Sequence, residues 1–323
     1  MPSAALSIDA ERLPSAALRR YAWAVLGYFI AVILWGGVVR ATGSGAGCGD
    51  HWPLCNGTVM QHSPRVDTMI EFTHRITSGI SFFSAVGLLI WTWLGTVRGH
   101  LARAAAAAAV AFTLVEAILG ALLVKLGLTA QSTSPLRAPY LALHLTNTLL
   151  LLAALTLAAH FLGRQSGYLR REIRVAGPLA AIVGLALLLA VGVTGSLAAL
   201  GDTLFPAASL RSALTQDFSS TSAWLVRWRW THPTIAVLAC VFLVWMVLRA
   251  RRSQRSNDGR LAGLVIALIA AQCVLGVLDV VLLAPVWLQI AHLLGADVLW
   301  SALVVLAAEL TLQPMEQIGT SAS

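Results

Sequence analysis

The amino-acid sequence predicts an all-α integral membrane protein. Eight transmembrane helices are expected to form two pseudo-twofold-related four-helix bundles, with both termini cytoplasmic. Hydrophobic residues make up 58% of the chain and charged residues only 11%, whereas a soluble protein averages about 25% charged residues. Most of the surface must therefore face lipid, which excludes cytosolic, disordered and collagen-like proteins. The net charge of +8 indicates membrane topology and not a nucleic-acid partner, because of where the basic residues lie.

Eight apolar stretches are each long enough to cross the hydrocarbon layer as a helix, which takes about 20 residues. They cover roughly residues 22–39, 68–95, 104–126, 138–162, 175–200, 224–248, 260–284 and 286–311. The first stretch is too long for the core of a signal peptide and lacks an obvious small-residue cleavage site, so we expect it to be retained. Trp and Tyr residues near several span ends are typical of the membrane interface.

The basic residues determine the predicted orientation. Most of the 22 Lys and Arg residues lie before the first span and in the connections after the second, fourth and sixth spans. Because cytoplasmic loops carry an excess of positive charge, these segments are predicted to be cytoplasmic. The chain then divides into a cytoplasmic segment 1–21, an N-terminal bundle 22–163, a linker 164–174, a C-terminal bundle 175–311 and a cytoplasmic tail 312–323.

The two predicted bundles carry matching fragments in the same order. The matches are Thr73-His74 with Thr231-His232, residues 115–120 with 271–276, and residues 143–145 with 291–293. Each half has an even number of spans, so both copies share one orientation. This pattern predicts an internal repeat whose pseudo-twofold axis lies along the membrane normal.

Four of the eight histidines, His74, His144, His232 and His292, lie within even-numbered spans. Each is roughly six to eight residues from the outer end of its span, or roughly 10 Å deep. A single intramembrane histidine is as often a packing residue as a ligand. Four at one depth, two in each half, are what two bis-histidine haem sites require. Zinc would need a third or fourth ligand at that level, so we predict one haem on His74 and His144 and another on His232 and His292.

The two predicted haem sites differ in the residue one helical turn before the first histidine. Glu71 precedes His74 by three residues, and Arg229 precedes His232 by the same spacing. A carboxylate beside a haem can exchange protons there, while a guanidinium can hold a propionate or tune a potential. The alternative for Glu71 is an interfacial carboxylate paired with Arg75. The difference assigns chemistry to the N-terminal half and electron transfer to the C-terminal half.

Three further acidic residues, Glu116, Asp279 and Asp297, lie within spans. An unpaired charge is costly there, so these residues are interpreted either as proton-relay groups or as contacts within the bundle. Cys240 and Cys273 also lie within spans and are interpreted as small apolar packing residues.

Cys48 and Cys55 lie seven residues apart in the glycine-rich first outer loop. Two thiols this close outside the cytoplasm favour a disulfide. Two interpretations of that disulfide remain open: it either closes a lid over the site below or takes part in redox chemistry.

Together these residues resemble those of the haem A synthases, membrane enzymes that convert haem O to haem A for terminal oxidases. The matching features are Cys48 and Cys55 within the loop that continues Trp52-Pro53-Leu54-Cys55-Asn56-Gly57, then Glu71-x-x-His74, His144, Thr231-His232 and His292. The eight-span plan in two halves matches as well, so the resemblance covers nearly the whole chain. Some members carry a second cysteine pair between the fifth and sixth spans. This chain has no cysteine at 201–222, which argues against a mechanism that needs thiols in both halves.

The resemblance implies a role for each position. His74 and His144 would hold the substrate haem O, with Glu71 as the catalytic residue beside it, and His232 and His292 would ligate a haem b cofactor. The implied reaction oxidises a ring methyl to a formyl group through a hydroxymethyl and a gem-diol. The implied setting is the bacterial cytoplasmic membrane, with the active site near the outer face. The implied partners are haem O synthase, the terminal oxidase assembly machinery and a redox partner, besides the lipid bilayer.

Two other classes of protein fit parts of the pattern. A dihaem cytochrome b that only carries electrons would place its haems at two depths, whereas all four histidines here lie near the outer face and Glu71 has no counterpart. A transporter with parallel repeats would have helices broken at the midplane. The candidate helix breakers Pro178, Pro206, Pro233 and Pro285 lie in loops or near span ends. These observations favour the enzyme.

Overall fold

The computed structural model describes residues 14–58, 65–164, 173–175, 179–252 and 259–314. Residues 1–13 of the predicted N-terminal segment, most of the predicted linker 164–174 and most of the predicted tail 312–323 lie outside the described residues. The predicted roles of those three segments therefore stay predictions.

The described residues form ten α-helices and two short β-strands. In chain order these are α1 Ala16–Ala41, α2 Val66–Gly95, α3 Leu101–Lys125, α4 Arg137–Gly163, β1 Ile173–Val175, α5 Leu179–Leu204, α6 Leu210–Asp217, α7 Trp224–Arg227, α8 Thr231–Arg252, α9 Gly259–Val281, α10 Val286–Thr311 and β2 Leu312–Pro314. With α7 and α8 taken as one span, eight segments are long and apolar enough to cross a membrane. This confirms the predicted all-α integral membrane fold.

The first helix begins earlier than hydropathy predicted, at Ala16 instead of residue 22. Its start is set by a cap, because the Ser15 hydroxyl accepts a hydrogen bond from the Leu18 N–H at 3.2 Å. Such a cap satisfies one of the backbone donors that a helix start leaves unpaired. Hydropathy missed this turn because Arg19 and Arg20 lie within it.

The sixth span is interrupted at 228–230, between α7 and α8. Pro233 lies in the first turn of α8, where its missing N–H is tolerated, whereas inside a continuous helix it would cost a hydrogen bond and a steric clash. The chain therefore restarts its helix at Thr231. The preceding outer loop contains α6, a short helix that hydropathy did not predict, capped by the Ser209 hydroxyl.

The two strands are an addition to the predicted helical fold. β1 pairs antiparallel with β2, with Ile173 opposite Pro314 and Val175 opposite Leu312. The pairing joins part of the predicted linker to the start of the predicted tail. The end of α10 is thus connected to the segment between the two halves.

The four spans of each half pack as a ring. In the N-terminal half α1 packs against α2, α2 against α3, α3 against α4 and α4 against α1. In the C-terminal half α5, α8, α9 and α10 follow the same order. Matching helices therefore make matching contacts, as the predicted internal repeat requires. The twofold axis and the cytoplasmic termini stay predictions.

The two rings meet where α1 and α4 pack against α5 and α10. α4 and α10 are the most enclosed spans, with 50% and 44% of their most apolar windows buried. Trp300 and Val304 of α10 belong to the apolar core of the N-terminal half. The Trp300 indole N–H donates to the Leu149 carbonyl of α4 at 2.7 Å. α4 and α10 therefore form the centre of the molecule.

A semi-buried arginine joins the two halves at the end of the bundle that carries loop 42–58, called the outer end below after its predicted orientation. Arg40 of α1 donates from Nη1 to the Ala199 carbonyl at 3.0 Å and the Thr203 hydroxyl at 3.1 Å, both on α5. Its Nη2 donates to Gln289 Oε1 of α10 at 2.7 Å. Hydrogen bonds to a charged donor are among the stronger ones, so this contact fixes α1 against the other half.

Candidate functional site

The four intramembrane histidines lie on matching helices of the two halves, and their pairing as haem ligands stays a prediction. In the N-terminal half His74 lies on α2 and His144 on α4. His232 on α8 faces His292 on α10, with ring centroids 6.5 Å apart and ring planes at 89°. In both halves the two helices are not neighbours in the ring, so each pair spans the centre of its bundle.

A metal held between two imidazoles sets the distance between their rings. Metal–nitrogen bonds of about 2 Å, plus roughly 1 Å from each nitrogen to its ring centre, put the centroids roughly 6 Å apart. The 6.5 Å separation of His232 and His292 fits an iron with two axial histidines. Within the described residues no three His, Cys, Asp or Glu side chains converge on one point, so the available donor sets are pairs of imidazoles.

Each of the four histidine rings lies against a glycine of a neighbouring helix. The pairs are Gly36 with His74, Gly120 with His144, Gly195 with His232 and Gly276 with His292, where an added Cβ would lie 3.1, 3.9, 2.9 and 3.3 Å from the ring carbon Cε1. These glycines lie on the first and third helices of each half, so the arrangement repeats. An added Cβ would clash with the ring at Gly195 and crowd it at Gly36 and Gly276, whereas at Gly120 it would make ordinary contact. These four glycines, against which the histidine rings pack, are called the glycine cradles below.

In three of these four rings the Nδ1 atom has no hydrogen-bond partner among the described residues. Nδ1 is enclosed and without a hydrogen-bond partner in His74, His144 and His292, and Nδ1 of His232 lies 3.5 Å from the Thr194 hydroxyl. Buried polar side-chain atoms are usually hydrogen-bonded. Hydrogen bonds among the described residues therefore do not account for the burial of these three nitrogens.

Glu71 lies one turn before His74 on α2 and is 4% exposed. Its Oε1 accepts from Arg75 at 3.1 Å from Nε and 2.5 Å from Nη2, and its Oε2 accepts from the Cys48 N–H at 2.8 Å. The ion pair that the sequence offered as the alternative for Glu71 is present. The carboxylate also holds the backbone of the first outer loop.

The first outer loop is closed by the predicted disulfide between Cys48 and Cys55, and both cysteines are fully buried. Besides the bond to Glu71, the loop is fastened to α2 by the Thr68 hydroxyl, which donates to the Gly47 carbonyl at 2.8 Å. Arg75 of α2 donates to the carbonyls of two further loop residues at 2.6 and 2.8 Å. A loop attached in this way fits the lid interpretation of the disulfide.

Gly47 is the position at which the loop comes nearest to α2. A Cβ there would lie 2.5 Å from the Asp67 carbonyl carbon and oxygen and 2.6 Å from the Thr68 nitrogen, and backbone atoms cannot move aside. We expect Gly47→Ala to shift the loop and to destabilise the protein by roughly 1–3 kcal/mol. Thermal unfolding of the purified protein in detergent measures the loss. Gly79→Ala is the matched control, because no atom lies within 4 Å of the added carbon; equal midpoints for the two variants would contradict the close contact.

Arg229, the counterpart of Glu71 in the C-terminal half, is engaged by two carboxylates. Its Nε donates to Asp217 at 2.8 Å and its Nη1 to Asp202 at 2.7 Å, and the residue is 8% exposed. Asp202 lies near the end of α5 and Asp217 ends α6. The guanidinium therefore fastens the outer-loop helix over the C-terminal half. Sequence reasoning missed both partners, which are distant along the chain.

The remaining polar residues within the spans differ in their hydrogen bonds and contacts. Glu116 bonds to α4 and lies near His144. Asp279 and Asp297 each have one carboxylate oxygen without a hydrogen-bond partner among the described residues. The Sγ atoms of Cys240 and Cys273 lie 3.4 Å apart between α8 and α9, which fits their interpretation as packing residues in contact.

The fold and the site define a class of protein: a multi-pass membrane protein whose two helix rings each enclose a pair of histidines. A family model described as cytochrome oxidase assembly protein matches residues 19–304. The chain belongs to this family, COX15-CtaA. This confirms the resemblance to the haem A synthases.

Several characterised relatives share substantial sequence with the chain. It is 45% identical over 293 residues to proteins named protoheme IX farnesyltransferase from two strains of Thermus thermophilus; the match covers 90% of this chain and 48% of each relative. The chain thus spans about half the length of these relatives. It is also 41% identical over 90 residues to a heme A synthase from an Exiguobacterium species, covering 28% of this chain and 30% of that protein. A heme A synthase from Alkalihalophilus pseudofirmus is 39% identical over 128 residues, covering 40% of each chain.

Proposed function

We propose that this protein is a haem A synthase, which oxidises a methyl substituent of haem O to a formyl group and so produces haem A. The observation that carries the proposal is the pair His232 and His292, whose ring spacing fits an iron between two imidazoles, together with His74 and His144 on the matching helices of the other half. Membership in a family of cytochrome oxidase assembly proteins and similarity to proteins named heme A synthase support the assignment.

In the proposed N-terminal site, His74 and His144 hold the iron of the substrate haem O. Conversion of the methyl to a formyl group would take two successive two-electron oxidations. With water as the oxygen source, each adds one water and releases two electrons and two protons, giving a hydroxymethyl group and then a gem-diol that loses water. Glu71 is proposed to accept protons from, or to stabilise positive charge at, the reacting carbon. Its position one turn before His74 and its burial under the disulfide loop support this role. The loop would cover the reacting edge.

In the proposed C-terminal site, His232 and His292 ligate haem b, which supplies a one-electron redox group. The residues of this chain would provide two imidazole nitrogens and the space left by Gly195 and Gly276. Arg229, fixed by two carboxylates, keeps α6 over this site. A redox partner would be the final acceptor of the electrons released by the oxidation.

The proposed setting is the bacterial cytoplasmic membrane, with both histidine pairs near the outer face. The Thermus relatives are named for the transfer of a farnesyl group to protohaem IX, a reaction that yields haem O, and are about twice as long as the match. This supports a haem O synthase as the partner that supplies the substrate. The terminal oxidase assembly machinery is the proposed receiver of haem A.

A culture experiment separates this proposal from its alternatives. We expect the chain, expressed with and without an added haem O synthase, to yield haem A only when haem O is supplied, as measured by extraction and mass spectrometry of the haems. Unchanged haem b in both cultures, without haem A, would instead support a dihaem cytochrome b. Haem O made without the added synthase would assign farnesyl transfer to this chain. The His74→Ala variant is the control and should abolish haem A formation.

A further inference from the structure

Glu116 of α3 forms a connected set of contacts with α4 in the N-terminal half. Its Oε2 accepts from Asn147 Nδ2 at 2.6 Å, and its Oε1 accepts from the Thr148 hydroxyl. The same Oε1 lies 3.4 Å from Nδ1 of His144. Asn147 and Thr148 are 6% exposed, so two enclosed donors hold the carboxylate beside the histidine.

Nδ1 of the His144 ring is available to donate a hydrogen bond to this carboxylate. Its Nδ1 is enclosed and has no aligned hydrogen-bond partner, although Glu116 is within 3.4 Å. A small rotation of the ring would bring the Nδ1–H onto Glu116 Oε1. Histidines that bind a metal through one ring nitrogen commonly donate the other N–H to a carboxylate, which fixes the tautomer and orients the ring.

The described residues of the C-terminal half show no such arrangement. The residue that matches Glu116 in the repeat is Gln272, whose Nε2 lies against Gly295 of α10 so closely that a Cβ there would overlap it. Where α4 carries Asn147 and Thr148 after its histidine, α10 carries Gly295 and Ala296. Both the carboxylate and its two donors are therefore confined to the N-terminal half.

We infer that Glu116 is a positioning residue for His144, and that it makes the iron bound at the N-terminal pair richer in electrons than the iron bound at the C-terminal pair. The inference rests on the proposed haem sites. A carboxylate that accepts the Nδ1–H increases electron donation from the ring to the iron and places a negative charge near it. Both effects stabilise the ferric state. The neutral Gln272 gives no such stabilisation to its own half.

Reciprocal substitutions test the inference on full-length protein reconstituted with haem O and haem b. Glu116→Gln is measured in chains that also carry His232→Ala, so that only the N-terminal haem titrates. We expect its ratio of ferrous to ferric haem at a fixed potential to rise about tenfold, which is about 59 mV for a one-electron couple. Gln272→Glu, measured in chains that carry His74→Ala, should lower the ratio for the C-terminal haem. Spectroelectrochemical titration measures both ratios, and haem extraction gives the stoichiometry.

The outcomes separate this inference from the proposed function. Full haem occupancy with titration curves unchanged by Glu116→Gln would overturn the role of Glu116. If the Glu116→Gln variant binds no haem, the test is the double variant Gln272→Glu with Ala296→Thr. A titration curve of the C-terminal haem that is unchanged in this double variant would overturn the inference. The proposed function alone would be contradicted if the wild-type protein bound both haems but formed no haem A, while Glu116→Gln still shifted the titration curve of the N-terminal haem.

Discussion

Replacing Glu71 with glutamine is expected to lower haem A formation by about a hundredfold or more, the range that loss of a general acid–base group usually produces. Haem content should stay unchanged, because the four histidines are intact. Glutamine keeps an acceptor for the Cys48 N–H but cannot take a proton from the reacting methyl carbon or carry a negative charge beside it. The measurement is haem A per chain in cells supplied with haem O, together with total bound haem.

The control for Glu71 must separate chemistry from attachment of the loop. Asp67→Asn removes a nearby carboxylate that pairs with the exposed Arg65 at 3.0 Å, and it should leave haem A formation near the wild-type level. Thermal unfolding of Glu71→Gln measures how much the protein is destabilised when Arg75 loses its charged partner and the loop is held less firmly. Full haem A formation by Glu71→Gln at normal haem content would exclude the proposed catalytic role.

Replacing His232 with alanine is expected to remove the C-terminal haem, so that each chain binds one haem fewer. A single remaining imidazole at His292 cannot form the six-coordinate, two-histidine iron that the 6.5 Å ring spacing fits. The N-terminal haem should remain, because His74 and His144 lie on other helices. Pyridine haemochrome spectra give the haem content, and the low-spin absorbance of the protein reports the loss of axial ligation.

His160→Ala is the matched control for this experiment. His160 is a buried histidine on the same helix as His144, but it lies at the opposite end of α4. We expect His160→Ala to bind as much haem as the wild-type protein. If His232→Ala also kept its full haem content and its low-spin spectrum, the C-terminal pair would not be a haem site.

The spans could be located from the sequence because lipid imposes a simple requirement, about 20 apolar residues in a row. The exact helix ends depend on local groups that hydropathy does not weigh. The Ser15 hydroxyl starts α1 within a segment that contains two arginines, and Pro233 separates α7 from α8. The small helix α6 was missed because its eight residues have too little apolar length to stand out.

The histidine pairs could be predicted because the internal repeat presents them twice, at one depth and on matching helices. Their surroundings could not. A glycine has no functional group to signal a role, and Gly195 is recognised as a cradle only once its backbone is seen next to His232. The partners of Arg229 lie 12 and 27 residues away along the chain. Only the packing of α5 and α6 around the turn between α7 and α8 brings those charges together.

The contact between α4 and α10 at the centre of the molecule has a consequence for how a turnover would proceed. These helices carry His144 and His292, one ligand from each proposed haem, and they touch directly, with Trp300 hydrogen-bonded to Leu149 between them. The two proposed haem sites would therefore be joined through protein and not through lipid. A change in how α4 packs against α10 would be expected to affect both sites at once.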